Sequence, residues 1–260
     1  MSDRIYHYTS VQSLACILKY KTMRFTRLDC LNDPNEGIAL NFKNSAKQIY
    51  CSSWTKRHDD FIPMWRMYSD LDGIRLSLPE EIFKVRGQTQ APESMKPVRY
   101  NYLSNEVQVT EVNSKDSKTS EVGLGQLCGP DPVLYQKDEF EISPVFSFGD
   151  ADIQEDQHSF AAIGLFKGAH WEFEEEVRFR LMRNLAITTT KSYGEVFRNN
   201  ISYEQRFVDV PLCEGVFEHA EVMLGPLCKN SPNEILVDAL LKNYAPNAKV
   251  SKSQIDIQKI

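Results

Sequence analysis

The sequence predicts an α+β protein that folds as a single domain, residues 1–260. Three observations support this prediction: a strand-helix-strand pattern at the start, an alternating run over 174–181, and a helical pattern of apolar residues over 232–244. With 42% hydrophobic and 11% aromatic residues, the composition is that of an ordinary globular protein with a packed core. At 260 residues, length alone allows one large domain or two small ones.

The opening residues predict a β-α-β unit. The run from Ile5 to Tyr8 is typical of a short strand, and Thr9 with Gln12 three residues later is typical of a capping box at a helix N-terminus. The apolar residues that follow recur at helical spacing: Val11, Leu14, Ile17 and Leu18. The run from Met23 to Thr26 predicts a return to a strand.

The middle of the chain predicts short elements and one long irregular region. Strands are expected over 49–54, 74–78 and 98–103, with a short aromatic helix over 63–68. From Ser104 to Gln157 the sequence is polar and rich in Ser, Asp, Glu, Pro and Gly. We predict an irregular insertion at about 104–157 and not a separate domain.

The late part of the chain predicts regular elements again. From Glu174 to Leu181, apolar and charged residues alternate, which is typical of a strand with one apolar and one charged face. A strand over 222–224, an amphipathic helix over 232–244 and a last strand through Val250 follow. The residues that this pattern places on the core face of the helix are Ile235, Leu236, Ala239 and Leu240.

Charge and composition predict where in the cell the protein is located and which classes of partner it does not bind. A formal net charge of −6 removes any global attraction to phosphate backbones or anionic membranes, although a local basic patch stays open. The first residues carry no basic stretch before an apolar run, and no segment approaches the roughly 18 to 20 apolar residues of a membrane span. We expect a cytoplasmic protein that binds no membrane. The six cysteines are scattered without a C-x-x-C pair, so we expect reduced, mostly buried thiols and no zinc site.

His7, Tyr8 and Thr9 form the first candidate group. They end the first predicted strand directly before a helix N-terminus, whose backbone N–H groups lack partners within the helix. An imidazole, a phenol and a hydroxyl at such a place suit the binding of a ribose or an amide. The alternative is structural: Thr9 caps the helix, and His7 and Tyr8 are ordinary strand residues.

A second group lies in a turn. Asn32, Asp33 and Glu36 follow Arg27 and Asp29 closely in the sequence. Carboxylates in a turn bind divalent cations, but the same residues are typical of a structural Asx turn with helix caps, and no calcium-loop spacing is present. We favour the structural interpretation and expect no metal.

A third group consists of small hydroxyls and aromatic residues. Ser52 and Ser53 lie at the end of the strand over 49–54, and Trp65 and Tyr68 follow in the aromatic helix. Small side chains at a strand end allow a ligand to approach the backbone closely. Trp65 and Tyr68 suit the core equally well.

The fourth group is the run Trp171-x-x-Glu174-x-Glu176-x-Arg178. Two glutamates at positions i and i+2 of one strand face perturb each other's ionisation, which suits general-base work or the stabilisation of a developing cation. The alternative is a solvated strand face on which Glu and Arg neighbours neutralise each other.

Several blocks of the sequence carry a resemblance to a known family. The blocks are IYHYTSVQSLACILKYKTMRFTRLDCLNDPNEG, YCSSW, PMWRMYSDLDGIRLSL, HWEFEEEVRF and VMLGP. Together they resemble a bacterial family known only as domain of unknown function 2971. More weakly, an HYT-ended first strand, a helix, a Ser-containing strand end and a late E-x-E are similar to the ADP-ribosyltransferase fold, with its mixed, split central sheet. The DarT-type toxins of that fold, which modify DNA, open with a comparable strand and helix.

The second resemblance implies roles for individual residues. His7 matches the residue that holds the nicotinamide-side ribose of NAD, with Thr9 beside it. Ser52 or Ser53 matches the serine of the second motif. Glu176 matches the catalytic glutamate, and Glu174 precedes it as in E-x-E enzymes, although families with a first-strand His usually lack E-x-E.

This resemblance implies an NAD-dependent ADP-ribosyltransferase or NAD glycohydrolase that acts as a bacterial toxin or anti-phage effector. NAD is its substrate, with Tyr8 or Tyr68 stacked on nicotinamide. The acceptor is an unidentified protein or nucleic acid, and an antitoxin or regulatory partner is expected.

Two other functions stay open. One is a metal-dependent nuclease or hydrolase that uses the carboxylates of Asp29, Asp33, Glu36, Glu174 and Glu176. The other is a non-catalytic module of the same fold that binds a nucleotide or protein and grips a phosphate with Lys56, Arg57 and Arg66.

Overall fold

The computed structural model describes residues 3–39, 44–90, 103–112, 119–137, 145–147, 157–159, 162–183 and 205–257. They form a mixed α/β fold with a large mixed sheet and few helices. The described α-helices are α1 (Val11–Tyr20), α2 (Ile62–Ser69) and α3 (Pro232–Tyr244).

The described strands fall into an N-terminal, a central and a C-terminal series. The N-terminal series is β1 (Arg4–Thr9), β2 (Thr22–Arg27), β3 (Ile49–Thr55), β4 (Ile74–Pro79) and β5 (Val85–Gln90). The central series is β6 (Leu103–Val112), β7 (Thr119–Pro132), β8 (Leu134–Gln136), β9 (Val145–Ser147), β10 (Gln157–Ser159) and β11 (Phe166–Gly168). The C-terminal series is β12 (Glu176–Arg183), β13 (Phe207–Pro211), β14 (Glu221–Leu224) and β15 (Lys249–Lys252).

The chain divides into two compact units. The first unit consists of residues 1–23, 53–84 and 211–260. The second unit consists of residues 24–52 and 85–210. Because the first unit takes its residues from three separate stretches, its core is assembled from both ends of the sequence.

The first unit is built around β1. This strand lies between β3 and β4, with Tyr6 opposite Thr55 in β3 and His7 opposite Leu76 in β4. Next to β4 lies β14, which pairs in parallel with the edge strand β15. The predicted strands and helices of this region are confirmed within one or two residues at each end.

Helix α1 buries the apolar stripe that the sequence predicts. Its buried residues are Val11, Leu14, Ile17 and Leu18. The predicted cap is wrong by one residue: Ser10 is the N-cap, and its hydroxyl accepts a hydrogen bond from the Ser13 backbone N–H at 3.1 Å. Thr9 still pairs with Ile74 as the last residue of β1, so the chain leaves the strand only at Ser10.

Helix α3 has the predicted bounds but not the predicted core face. Val237 and Leu241, one helical turn apart, are its buried apolar residues. Ile235 and Leu236 are instead 72% and 53% exposed. Because the pattern contains apolar residues on more than one side of the helix, spacing alone selects the wrong stripe.

The second unit contains most of the remaining strands. Its strand order is β12-β7-β6-β13-β2-β3, and β3 also pairs with β12. A core cluster of buried residues packs beside these strands: Leu28, Ala39, Ile49, Cys51, Cys128, Ala162, Ile163, Phe166 and Met182. The strands β6 and β7 lie in the range predicted as an irregular insertion, while much of the rest of 104–157, and residues 98–102, fall outside the described residues.

Within the described part of the chain, no helix combines the length and the apolar character that crossing a membrane requires. All six cysteines are free thiols, and three of them, Cys51, Cys128 and Cys228, are buried.

Candidate functional site

Five charged side chains of the second unit meet inside it. We call this group the ionic cluster, and its members are Glu36, Lys167, Glu174, Glu176 and Arg178. All five are buried, with no more than 5% of any residue exposed. Charged residues are rarely buried to this degree unless they are paired, so the group is a candidate site with a physical basis.

Arg178 holds two of the carboxylates. Its Nε and Nη2 donate to Oε1 and Oε2 of Glu176 at 2.6 and 2.8 Å, which is a two-pronged contact. Its Nη2 also lies 2.5 Å from Oε2 of Glu36, in an ion pair. Nη1 donates to the Gly164 carbonyl oxygen at 2.9 Å. The guanidinium is therefore fixed on both of its edges.

Lys167 bridges all three carboxylates. Its Nζ donates to Oε2 of Glu174 at 2.5 Å and to Oε2 of Glu176 at 3.0 Å. Oε1 of Glu36 lies 3.4 Å from the same nitrogen. The ammonium also lies 4.7 Å from the centre of the Trp171 ring, in a cation-π contact.

The ionic cluster contains more carboxylates than cations. Among its five described side chains, three carboxylates meet two cations in buried surroundings. Burial raises the pKa of Glu36 by more than Arg178 and Lys167 lower it, so Glu36 takes up a proton more readily than an ordinary glutamate. For Lys167 and Arg178, burial opposes the charge, but the carboxylates of Glu176 and Glu36 raise both pKa values above their ordinary range.

The local backbone explains how the two glutamates reach one lysine. Lys167 lies in β11, and a 3-10 helix (Ala169–Glu174) then carries Glu174 back toward it. Glu175 has a left-handed backbone with φ of 45°, which ends that helix, and β12 starts at Glu176. The backbone N–H of Glu176 donates to the Tyr135 hydroxyl oxygen at 2.8 Å. Burial raises the pKa of this phenol, which therefore keeps its proton at neutral pH.

Two expectations for this region are corrected. Glu174 does not share a strand face with Glu176, because it ends the 3-10 helix, and both carboxylates accept from the Lys167 ammonium. The alternative of a solvated strand face is also wrong, since Arg178 is 0% and Arg180 5% exposed. Arg180 is buried because its guanidinium donates to the Ile163 carbonyl and pairs with Asp131.

The turn residues predicted as a second group separate in the structure. Glu36 joins the ionic cluster, whereas the Asp33 carboxylate accepts from the Asn35 backbone N–H at 2.9 Å in the expected Asx turn. Asp29 pairs with Arg27, and Asn32 is exposed. Among the described residues, no group of three or more His, Cys, Asp or Glu side chains is arranged to hold a metal ion.

In the first unit, His7 has a defined tautomer. Its Nδ1 lies 2.9 Å from the Ser53 carbonyl oxygen, and a carbonyl only accepts, so Nδ1 carries the proton. Burial lowers the pKa of His7, and the bond to Ser53 offsets this only in part. The neutral imidazole therefore presents Nε2 as a hydrogen-bond acceptor, with its ring 5.1 Å from that of Trp54.

The other predicted residues of the first and third groups have mixed surroundings. Tyr8 is buried with its ring edge-on to Trp65 at 4.7 Å between ring centres. Trp65 is fully buried, and its Nε1 donates to Asp60 at 2.5 Å, which is a core position. Tyr68 is partly exposed in the last turn of α2. Thr9 and Ser52 are buried polar residues, Ser52 in the second unit.

The lowered pKa of His7 predicts a loss of stability in mild acid. As the pH falls below 6.5, His7 takes up a proton more readily in the unfolded chain than in the folded protein. The free energy of unfolding should therefore fall, by up to about 1.4 kcal/mol per pH unit. Urea unfolding between pH 7.5 and about pH 5 measures this. His7→Gln should flatten the slope relative to the wild type, with His170→Gln as the exposed matched control. Equal slopes in wild type and His7→Gln would contradict the prediction.

Sequence reasoning missed two residues that the site requires. Lys167 lies among uncharged residues in the run Leu165-Phe166-Lys167-Gly168. A single cation in a buried strand indicates that a carboxylate lies near it, because a buried charge needs a partner. Tyr135 lies in the region predicted as an insertion and gave no such signal.

Comparison of the chain with protein-family models, with curated proteins and with solved structures finds no match.

Proposed function

We propose that the protein is an NAD-dependent ADP-ribosyltransferase or NAD glycohydrolase whose chemistry depends on the ionic cluster. The observation that carries the proposal is a buried group in which, among the described side chains, three carboxylates meet two cations. Fixed negative charge in a place of low dielectric stabilises a positive charge that develops during a reaction, without reorganising first.

The reaction that suits this charge is cleavage of the bond between ribose and nicotinamide. The C–N bond breaks with its electron pair leaving on nicotinamide, which becomes neutral, and positive charge passes to the ribose ring. In this proposal Glu176 stabilises that ring. Water or an acceptor then bonds to the same carbon and gives its proton to Glu174.

Side-chain cations already occupy the carboxylates that a metal-dependent hydrolase would need. Each of Glu36, Glu174 and Glu176 contacts the Lys167 ammonium within 3.4 Å. A divalent cation would have to displace this ammonium, so the geometry favours chemistry without a metal.

The neutral state of His7 suits the role that the resemblance gives it. An unprotonated Nε2 accepts a hydrogen bond from a ribose hydroxyl, whereas an imidazolium does not. The role is tested by His7→Ala, which should weaken NAD binding, seen as a higher Kd in calorimetry.

The proposed activity predicts that the purified protein binds NAD and releases nicotinamide, with water or with an acceptor from cell extract. Chromatographic measurement of NAD and nicotinamide over time checks this. A growth test on expression in bacteria addresses the proposed role as a toxin or anti-phage effector, and capture from the native host addresses the proposed antitoxin. If NAD neither binds nor is consumed, even with extract added, the proposal is wrong.

A further inference from the structure

We propose that Arg75 forms a binding site for an oxyanion, a phosphoryl or carboxylate group, in the first unit. Arg75 lies in β4 and is only 6% exposed. This site is separate from the ionic cluster, and the inference does not depend on the proposed NAD chemistry.

One edge of the Arg75 guanidinium is fixed by the protein. Nη1 donates to the backbone carbonyl oxygens of His58 and Asp59, each at 2.8 Å. The Tyr8 hydroxyl lies 3.5 Å from the same nitrogen. The guanidinium carbon lies 4.7 Å from the centre of the Tyr6 ring, so an aromatic face supports the plane of the group.

The opposite edge of the guanidinium has no partner among the described residues. Every hydrogen bond that Arg75 makes to a described residue starts from Nη1, and no described carboxylate lies within ion-pair distance of it. Nε and Nη2 make no hydrogen bond to a described residue, and neither is among the fully buried atoms that lack a partner. Two N–H donors of the guanidinium are therefore left for a ligand.

Those two donors have the geometry of an oxyanion receptor. Nε–H and one N–H of Nη2 point in parallel, and this edge of a guanidinium binds two oxygens of a carboxylate or phosphate at once. Because the side chain is already held by two carbonyls and a ring, little side-chain freedom is lost when the anion binds. Burial strengthens the attraction by lowering the local dielectric.

A purely structural role does not account for the charge of Arg75. Bracing the loop at His58 and Asp59 needs only a neutral donor, such as an amide, whereas burying a cation without a carboxylate is costly. The carboxylates of the segment that Arg75 contacts are already engaged: Asp59 pairs with Arg57, and Asp60 accepts from Trp65. A singly charged oxyanion suits this site best, because these carboxylates repel a higher charge.

The test is a titration of the full chain with inorganic phosphate or acetate, with chloride at equal ionic strength as the reference. A saturable rise in Tm should appear with at least one probe, and the probe that acts shows whether the site takes phosphoryl or carboxylate groups. Arg75→Gln should weaken that binding by about ten- to a hundredfold, the loss of a charge-assisted pair. Lys19→Gln, which changes an exposed cation of the same unit, is the control and should bind as the wild type does.

A second measurement keeps the test independent of how well the variant folds. In the ¹H-¹⁵N spectrum of the wild type, the Arg75 Nε–H signal, identified by its loss in Arg75→Lys, should shift with the same Kd as the rise in Tm. The inference is overturned if neither probe gives a saturable response, if Arg75→Gln binds as tightly as the wild type, or if the Arg75 signal does not move.

Discussion

Replacing Arg178 with methionine should lower the free energy of unfolding by about 3–5 kcal/mol. The change removes the two-pronged partner of Glu176 and the close partner of Glu36, so that Lys167 is the remaining cation among the five side chains of the ionic cluster. Methionine fills a similar volume and is apolar, so the loss reports the uncompensated charge more than a cavity. Urea or guanidinium unfolding of the two proteins measures the difference.

Two comparisons make the Arg178 prediction specific. Arg24→Met removes an exposed ion pair with Asp209, and its cost should stay within about 0–1 kcal/mol. Adding Glu36→Gln to Arg178→Met neutralises one of the carboxylates that lost its partner in the first change. This second change should restore part of the stability, as a double-mutant cycle would show. A cost for Arg178→Met no larger than that for Arg24→Met would mean that the ionic cluster is not held by its charges.

Glu176→Gln should lower kcat for NAD cleavage by about a hundred- to a thousandfold, if the proposed function holds. Glutamine keeps the shape of the side chain and one oxygen acceptor, so the bound ground state changes little. The negative charge is lost, and this charge matters most when the ribose becomes cationic. The loss should therefore fall on kcat, with the Kd for NAD within a few-fold of the wild type.

The adjacent Glu175 offers a matched control for the Glu176 variant. Its side chain is exposed, and Glu175→Gln makes the same chemical change one residue away. Both variants are assayed well below their measured Tm, because Glu176→Gln also disturbs the pairing with Arg178. An unchanged kcat in folded Glu176→Gln, or an equal loss in Glu175→Gln, would remove Glu176 from the proposed mechanism.

Much of the secondary structure follows from local patterns in the sequence. The stripe of α1 and the bounds of α3 are local properties, because helical spacing and N-terminal residues decide them. The face that α3 buries is not local, because Ile235 and Val237 are both apolar and only the packing of the helix selects between them. Thr9 and Ser10 are both good caps, and strand pairing with Ile74 decided for Ser10.

Four of the five members of the candidate site stood out in the sequence, but Lys167 and the arrangement of the group did not. Glu36, Glu174, Glu176 and Arg178 each stood out by residue type, yet no spacing rule joins the first of them to the others. Their meeting depends on how β12 and the turn around Glu36 pack in the second unit, which is a tertiary property. The alternating pattern alone does not show whether the charged face of the strand is solvated, because that depends on whether other residues cover it. In this protein the arginines of that face are buried.

The ionic cluster also limits which substitutions this sequence can accumulate during evolution. Loss of Lys167 or Arg178 leaves buried carboxylates without a counter-charge, so such single steps are penalised even where the final combination is stable. Apolar residues of similar volume at all five positions would pack acceptably, but the intermediates would not. Glu36 and Arg178, though distant along the chain, are therefore expected to be inherited or replaced as a unit.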